Sequence, residues 1–400
     1  MIIVGLNSGT SRDGISATIF ETLKLLPTAK IKLILHQDHP YPKWALEKLA
    51  EMEREPAFEK VARANFFLGE VFADAALKLI AASRVKKNRI SLLASHGQSI
   101  GHFPELKKIG RYQIRATLQI AEPSVIAART GITTVSDFRP ADISAGGEGA
   151  PVLAYSEYLL FASRKRSRMV INLGGIVNFS LLPKGRGPEK VHATDAGPCN
   201  LLIDGLAARV SAGKLKYDPN GRIALSGKPR EKWVRAFLNH NFFSRPAPKT
   251  SGREEFGGQW IEHILSGMKF QLRHDGPDLL RSGVVAVAEM IAQCYISNYP
   301  RFRFDEIIAS GGGAKNQALC YELQRALGKK LILSSALGIP LQAKEPIGFG
   351  LLGELCLRGM SGNLPFATGA KSRVVLGKIV PGQNWKQVLK QVKINGERHK

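Results

Sequence analysis

The sequence predicts an α/β protein of two domains, and three observations carry that prediction. Strand-like and helix-like stretches alternate along most of the chain. A strand, a glycine-bearing turn and a second strand occur twice, once at the N-terminus and once from Arg168 onward. The length of 400 residues suits two domains of ordinary size, and 44% hydrophobic with 22% charged residues is a globular balance.

Residues 1–7, 14–20 and 30–37 read as strands, being β-branched or apolar runs bounded by Gly, Asn and Pro. Residues 43–53 and 57–83 read as helices; the second carries Val61, Phe66, Phe67, Val71, Phe72, Ala75 and Leu79 at helical spacing. Strands follow at 90–95, 117–120 and 132–138, with a helix at 123–130 opened by Pro123. After the glycine-rich stretch 145–151 the pattern restarts, with strands at 168–173 and 176–182 around Gly174-Gly175 and another at about 190–194. Later helices at 199–211, 258–271, 279–298, 315–327 and 345–359 alternate with strands at 306–310 and 330–334. This organisation places one domain over 1–145 and a second over 146–371, with 372–400 a candidate completion of the first.

Charge and cysteine content exclude several classes. The 57 Lys and Arg against 33 Asp and Glu leave +24, yet the basic residues are neither strongly clustered nor interleaved with aromatics, so a nucleic-acid partner is not expected. A basic background still attracts anionic small molecules. The four cysteines are widely separated and form no C-x-x-C pair, so neither a thiolate zinc site nor a disulfide scaffold is expected. The N-terminal Met1-Ile2-Ile3-Val4-Gly5-Leu6 reads as a first strand rather than a signal peptide, and the apolar runs fall short of a membrane span. The chain is expected in the cytoplasm, with no membrane partner.

Three segments carry candidate chemistry. Gly9-Thr10-Ser11-Arg12-Asp13-Gly14 lies between two predicted strands, where small residues let backbone N–H groups and hydroxyls approach phosphate oxygens; a plain hairpin turn is the other reading. Thr194-Asp195-Ala196-Gly197-Pro198-Cys199-Asn200 joins a strand to a helix, so Asp195 is either a general base beside a phosphate or a cap of that helix. Ser310-Gly311-Gly312-Gly313-Ala314-Lys315-Asn316 repeats the strand–glycine–helix form, which suits either a ligand close to the backbone or a tight connection. Two further matches are discounted. Gly97-Gln98-Ser99-Ile100-Gly101 fits a nucleophile elbow, but Pro104 follows where a helix is needed. Gly348-Phe349-Gly350-Leu351-Leu352-Gly353 fits G-x-G-x-x-G without a βαβ context, and helix–helix packing explains it better. His96 and His102 read as structural histidines flanking a turn.

Taken together, these segments resemble the anhydro-N-acetylmuramic acid kinase family, within the actin-like ATPase and sugar-kinase superfamily. The resemblance runs from residue 5 to about 383 through Gly5–Gly14, Ser95-His96-Gly97-Gln98, Thr117–Ile120, Asp137-Phe138-Arg139, Gly146–Pro151, Asn172–Ile176, Asp195–Asn200, Ser251–Glu254, Gly311–Asn316, Lys344-Glu345 and Gly362–Pro365. The tail from Asn384 reads as an extension beyond it. The resemblance implies a two-domain actin-like fold with an interdomain cleft, use of ATP and Mg²⁺, and a small amino-sugar substrate whose 1,6-anhydro ring is opened and phosphorylated at O6. It implies a phosphate-binding segment over Gly9, Thr10, Ser11, Arg12, Asp13, Gly14, Ile15 and Ser16, supplemented by Gly197, Gly311, Gly312 and Gly313. Asp195 becomes the catalytic carboxylate, and Asp137, Arg139 and Glu345 the sugar contacts. No metal ligands are assigned, and a homodimer is expected by analogy. The family commonly has Met where Asn7 stands, Asp where Ser16 stands, and Thr and Gly where Ala196 and Cys199 stand. A related sugar kinase with a drifted pocket and a catalytically weak nucleotide-binding regulator are the alternatives.

Overall fold

The structure is a computed structural model in which residues 1–9 and 14–397 are described, with side chains described except at 253, 254, 273 and 393–397. It divides into two compact units, Met1–Phe161 with Ala343–Lys400, and Ala162–Gln342. In chain order the strands are β1 (Ile2–Ser8), β2 (Gly14–Lys24), β3 (Lys30–Pro40), β4 (Ile90–Ile109), β5 (Tyr112–Ile120) and β6 (Thr134–Ser136), then β7 (Arg168–Leu173), β8 (Ile176–Leu182), β9 (His192–Pro198), β10 (Glu306–Ser310), β11 (Lys330–Leu333) and β12 (Lys378–Val380). The α/β class expected from the sequence is observed, with a mixed sheet in each unit.

The first sheet has the order β12-β6-β4-β1-β2-β3, with β5 paired to β4. β1 pairs antiparallel with β2, from Ile2↔Glu21 to Asn7↔Ser16, and parallel with β4. β1 is buried along its whole length because both faces are covered. Side chains alternate across a strand. Ile2, Val4 and Leu6 join the cluster with Leu68, Phe72 and Leu79 of the helix Phe58–Ser83. Ile3, Gly5 and Asn7 meet the helix Lys344–Leu357 on the other face. A Cβ on Gly5 would lie 1.9 Å from the Pro346 carbonyl oxygen, so only glycine lets that helix lie so close to the strand.

The second sheet has the order β11-β10-β7-β8-β9. β7 and β8 form the second hairpin, from Arg168↔Leu182 to Leu173↔Val177, and β7, β10 and β11 run parallel. Met169, Ile171, Val177 and Phe179 pack on Leu206 of the helix Asn200–Val210 and on Val284, Val287 and Ile291 of the helix Leu272–Asn298. That last helix is long and apolar enough over His274–Asn298 to cross a membrane by length and composition, but 72% of its apolar window is buried inside the unit, so it is a core helix here.

Three sequence expectations change. The first unit includes residues 146–161 and 343–371, which the sequence reading assigns to the second domain. The reason is packing: the helix Lys344–Leu357 covers β1, and the 145–148 turn is tied to the C-terminal segment by Glu148 N–H to Thr368 and by Lys371 N–H to Ala145. β4 runs on to Ile109 instead of ending near residue 95, so His96 and His102 lie on a strand and not beside a turn, and Ser99 is a strand residue. The glycines of 348–353 are helical, and Gly350 and Gly353 sit against Phe20, Ala94 and Leu92 of the sheet, so they serve helix–sheet more than helix–helix packing. The segment 372–400 lies in the first unit, as its reading as a completion of that domain has it, and the tail is anchored at its root: Asn384 accepts from Thr133 N–H and hydroxyl, each at 2.8 Å, and donates to Ile90 and Ser91 carbonyls, each at 3.1 Å.

Candidate active site

In the first unit, Asn7, His96 and Gln98 lie at the C-terminal ends or extensions of the parallel strands β1 and β4, and Asp137 and Arg139 follow β6. Carboxyl ends of parallel strands are where α/β sheets bind ligands. Arg139 donates from Nε to His96 Nε2 at 3.0 Å and from its terminal nitrogen to the Gly149 carbonyl at 2.9 Å. The Nε2 of His96 is therefore an acceptor, and the ring is neutral. Burial, then the Arg139 charge, holds His96 well below the usual histidine range. The same two causes, in the same order, lower His102 to about 3. Phe349 stacks on His96 with ring centroids 4.5 Å apart.

Glu345 stands in the first turn of the helix Lys344–Leu357 and accepts a 2.8 Å hydrogen bond from Asn7 Nδ2. Burial raises its carboxyl above the usual range; Lys344, Arg139 and the Asn7 bond oppose that shift, and Glu157 adds to it. Beneath it, Lys344 and Glu157 form a buried ion pair. Asp137 has a left-handed backbone, φ 55°, and its carboxylate pairs with Lys378 of β12 at 2.8 Å. Arg139 and Glu345 thus lie within electrostatic reach of each other, while Asp137 is engaged elsewhere in this conformation.

Of the phosphate-segment residues, Thr10, Ser11, Arg12 and Asp13 lie outside the described residues. Gly9 is exposed at the end of β1. A Cβ on Gly14 would meet the His39 carbonyl oxygen at 2.4 Å, so strand packing alone requires glycine there. The Ile15 side chain is in the core, which leaves only its backbone for a ligand. Ser16 Oγ bonds His36 Nε2 across β2 and β3 at 2.9 Å.

In the second unit, Asp195 is a buried residue of β9. Its Oδ2 accepts from the Thr250 hydroxyl at 2.9 Å and from Ser251 N–H at 3.0 Å, and its own N–H donates to the Lys249 carbonyl at 3.0 Å. The capping alternative is not met: Cys199 precedes the helix Asn200–Val210 and no side chain caps it. Its first N–H groups, on Cys199, Asn200 and Leu201, donate to the carbonyls of Gly174 and Gly175. That helix start is therefore occupied by the hairpin turn and has no spare donors there for a phosphate. Gly197 has φ 143°, and a Cβ would meet Met290 Sδ at 2.5 Å, so its glycine has a packing cause.

The three glycines after β10 differ among themselves. Gly311 has φ 86° and lies under Leu173 O and Asn172 Oδ1; Gly313 is buried against Asn200 Oδ1. Gly312 is exposed, and the nearest atom to a Cβ there would be Asn200 Nδ2 at 3.5 Å. Lys249, next to the Asp195 loop, donates to the carbonyls of Phe242 and Phe243 and lies over the Phe242 ring; burial lowers its ammonium below the usual lysine range. The sequence reading includes Ser251 in the resemblance without a role and passes over Lys249 and Thr250, which carry no pattern of their own.

Among the described residues no group of three or more His, Cys, Asp or Glu could hold a metal. A nucleotide-borne Mg²⁺ does not need one, because it takes one or two carboxylates plus phosphates and waters.

A family model for anhydro-N-acetylmuramic acid kinase matches residues 1–382. The chain belongs to the anhydro-N-acetylmuramic acid kinase family. The relative of that name from Caldanaerobacter subterraneus subsp. tengcongensis is 38% identical over 382 residues, covering 94% of this chain and 96% of the relative. The anhydro-N-acetylmuramic acid kinase of Salinibacter ruber is 35% identical over 393 residues, covering 95% of this chain and 96% of the relative. Among solved structures, the activator of 2-hydroxyisocaproyl-CoA dehydratase from Clostridium difficile with bound ADPNP is similar at 12% identity and a TM-score of 0.41, over 88% of this chain and 94% of that one.

Proposed function

We propose that the chain is a cytoplasmic, ATP-dependent kinase that opens the 1,6-anhydro ring of anhydro-N-acetylmuramic acid during cell-wall recycling. Membership of the family over residues 1–382 carries this reading. Water adds at C1, the C1–O6 bond breaks, O6 takes the γ-phosphoryl group, and N-acetylmuramic acid 6-phosphate and ADP leave. Asp195 accepts the proton that water loses. The Thr250 and Ser251 donors hold its carboxylate in place for that role. Mg²⁺, when bound with the nucleotide, offsets charge on the phosphates.

In the first unit, the planar Arg139 and the Glu345 carboxylate supply a cation and an acceptor suited to a lactyl carboxylate and a ring hydroxyl. Asp137 would join them on leaving Lys378. The backbone of Gly9–Ser16 and Gly312 serves the phosphates. The test is ADP release with anhydro-N-acetylmuramic acid and the mass of the product. ADP formed only with ordinary amino sugars would replace this substrate with another; no ADP with any sugar would remove the kinase reading.

A further inference from the structure

We infer that Asn7 is the positioning residue for Glu345, its amide holding the carboxylate in the orientation the sugar meets. This rests on the reading of Glu345 as a sugar contact. The helix Lys344–Leu357 lies antiparallel along the inner face of β1, and three contacts fix the register. Ile3 Cγ2 meets Gly350, Gly5 meets Pro346, and Asn7 meets Glu345. Only alternate residues of a strand reach one face, so position 7 is the place on β1 from which a side chain reaches the first turn of that helix. The first two positions on this face, Ile3 and Gly5, are apolar or bare. The third is a buried amide, and burying an amide is costly unless it is bonded. Its bond, 2.8 Å long and spanning 338 residues of sequence, ends on Oε2 of Glu345.

The bond has a chemical consequence. The charged groups facing the Glu345 carboxyl are Lys344 from its own helix, Glu157 from the helix Ala154–Phe161, and Arg139 from the segment after β6, with neutral His96 behind Arg139. Burial and Glu157 oppose ionisation; Lys344, Arg139 and the Asn7 amide favour it. Asn7 is the uncharged member of the favouring set. Removing it leaves the ion pairs in place and withdraws one hydrogen bond from the ionised form.

The experiment compares Asn7→Leu, Asn7→Asp and Glu345→Gln, measuring kcat/KM for anhydro-N-acetylmuramic acid from pH 5 to 9, KM for ATP, and Tm. Asn7→Leu is expected to raise the sugar KM roughly tenfold and to move the acid limb of kcat/KM up by about one pH unit, because a hydrogen bond to a charged group is worth about one such unit. Asn7→Asp, the same shape with an acid beside an acid, moves the limb further in the same direction. KM for ATP stays within about twofold in both. If Glu345→Gln is impaired while both Asn7 variants keep the wild-type limb and sugar KM, the inference about Asn7 falls and the reading of Glu345 stands. A lower Tm with an unmoved limb assigns Asn7 to folding alone and also overturns it. If Glu345→Gln itself keeps the wild-type sugar KM and kcat, the reading of Glu345 falls, and the role of Asn7 with it.

Discussion

Thr250 donates its hydroxyl to the same oxygen of Asp195 that accepts the Ser251 N–H, at 2.9 and 3.0 Å. The carboxylate is therefore fastened to Thr250 and Ser251 and not to the start of the following helix. Asp195→Asn preserves this, because an amide oxygen accepts both bonds. Turnover should fall about 10²–10⁴-fold from loss of the base, with Tm little changed. Rate constant and Tm measured together decide it: near wild-type turnover at unchanged Tm would take Asp195 out of the reaction.

The hairpins β1–β2 and β7–β8 were legible in the sequence to within a few residues because β-branched runs ended at glycines. So was the buried face of the helix Phe58–Ser83, from its periodicity, although Phe66, read as part of that stripe, is exposed. The extent of β4 was not, because residues 96–109 mix glycine, proline and lysine, and pairing with β5 overrides those local preferences. In the candidate site, Asp195 stood out from its local setting, although β9 runs on past it to Pro198 and does not end there; Arg139 and Glu345 came only from the family resemblance. What holds these residues in place was not legible. Asn7 and Glu345 are 338 positions apart, and Asp195 and Thr250 are 55 apart, so only tertiary packing brings each pair together.

The two histidines of β4 should leave a mark on acid stability. His102 is lowered to about 3 in the folded chain and returns to the ordinary value near 6.5 on unfolding. Below about 6.5 the unfolded state takes up a proton that the folded state refuses, so stability is lost as pH falls through that window. Tm measured from pH 7.5 to 4.5 should drop less in His102→Gln than in the wild type. Equal slopes would mean that His102 titrates normally in the fold.

Lys344 and Glu157 are both almost fully buried, and their pairing anchors the start of the helix that carries Glu345. Lys344→Met leaves Glu157 buried without its ammonium and should cost about 3–5 kcal/mol. Lys344→Met with Glu157→Leu removes both charges and should recover most of that loss. Denaturant midpoints of the wild type, the single and the double variant read this out directly; a double variant no more stable than the single would show that the pair is not the source of the cost.

Despite the +24 charge no tight nucleic-acid binding is expected, since the densest basic runs, such as 164–168, are short. A gel shift with random-sequence DNA and RNA at about 0.15 M salt should show binding no tighter than roughly 10⁻⁴–10⁻⁶ M, weakening steeply as salt rises. Submicromolar binding there would establish a nucleic-acid function that the fold does not suggest.

The run Gly311-Gly312-Gly313 separates a packing explanation from a ligand explanation within one turn. Gly311 combines φ 86° with a Cβ position 2.7 Å from Leu173 O, so alanine is strained in its backbone and clashes as well. Gly313 is similarly confined, its Cβ position being 2.7 Å from Asn200 Oδ1. Gly312 is confined by neither cause: its backbone is ordinary, and a Cβ there is 3.5 Å from Asn200 Nδ2, a normal contact. Packing therefore accounts for two glycines and leaves the middle one unexplained, and that one is exposed at the C-terminal end of β10. Gly311→Ala should lower stability by more than about 1 kcal/mol. Gly312→Ala should fold with a Tm close to wild type. If the backbone at 312 approaches a phosphate, the added methyl should raise KM for ATP about tenfold while leaving KM for the sugar alone, which identifies the lost contact as a nucleotide contact. A Gly312→Ala variant with wild-type KM for ATP would leave this turn with a packing role only and would remove Gly312 from the nucleotide site.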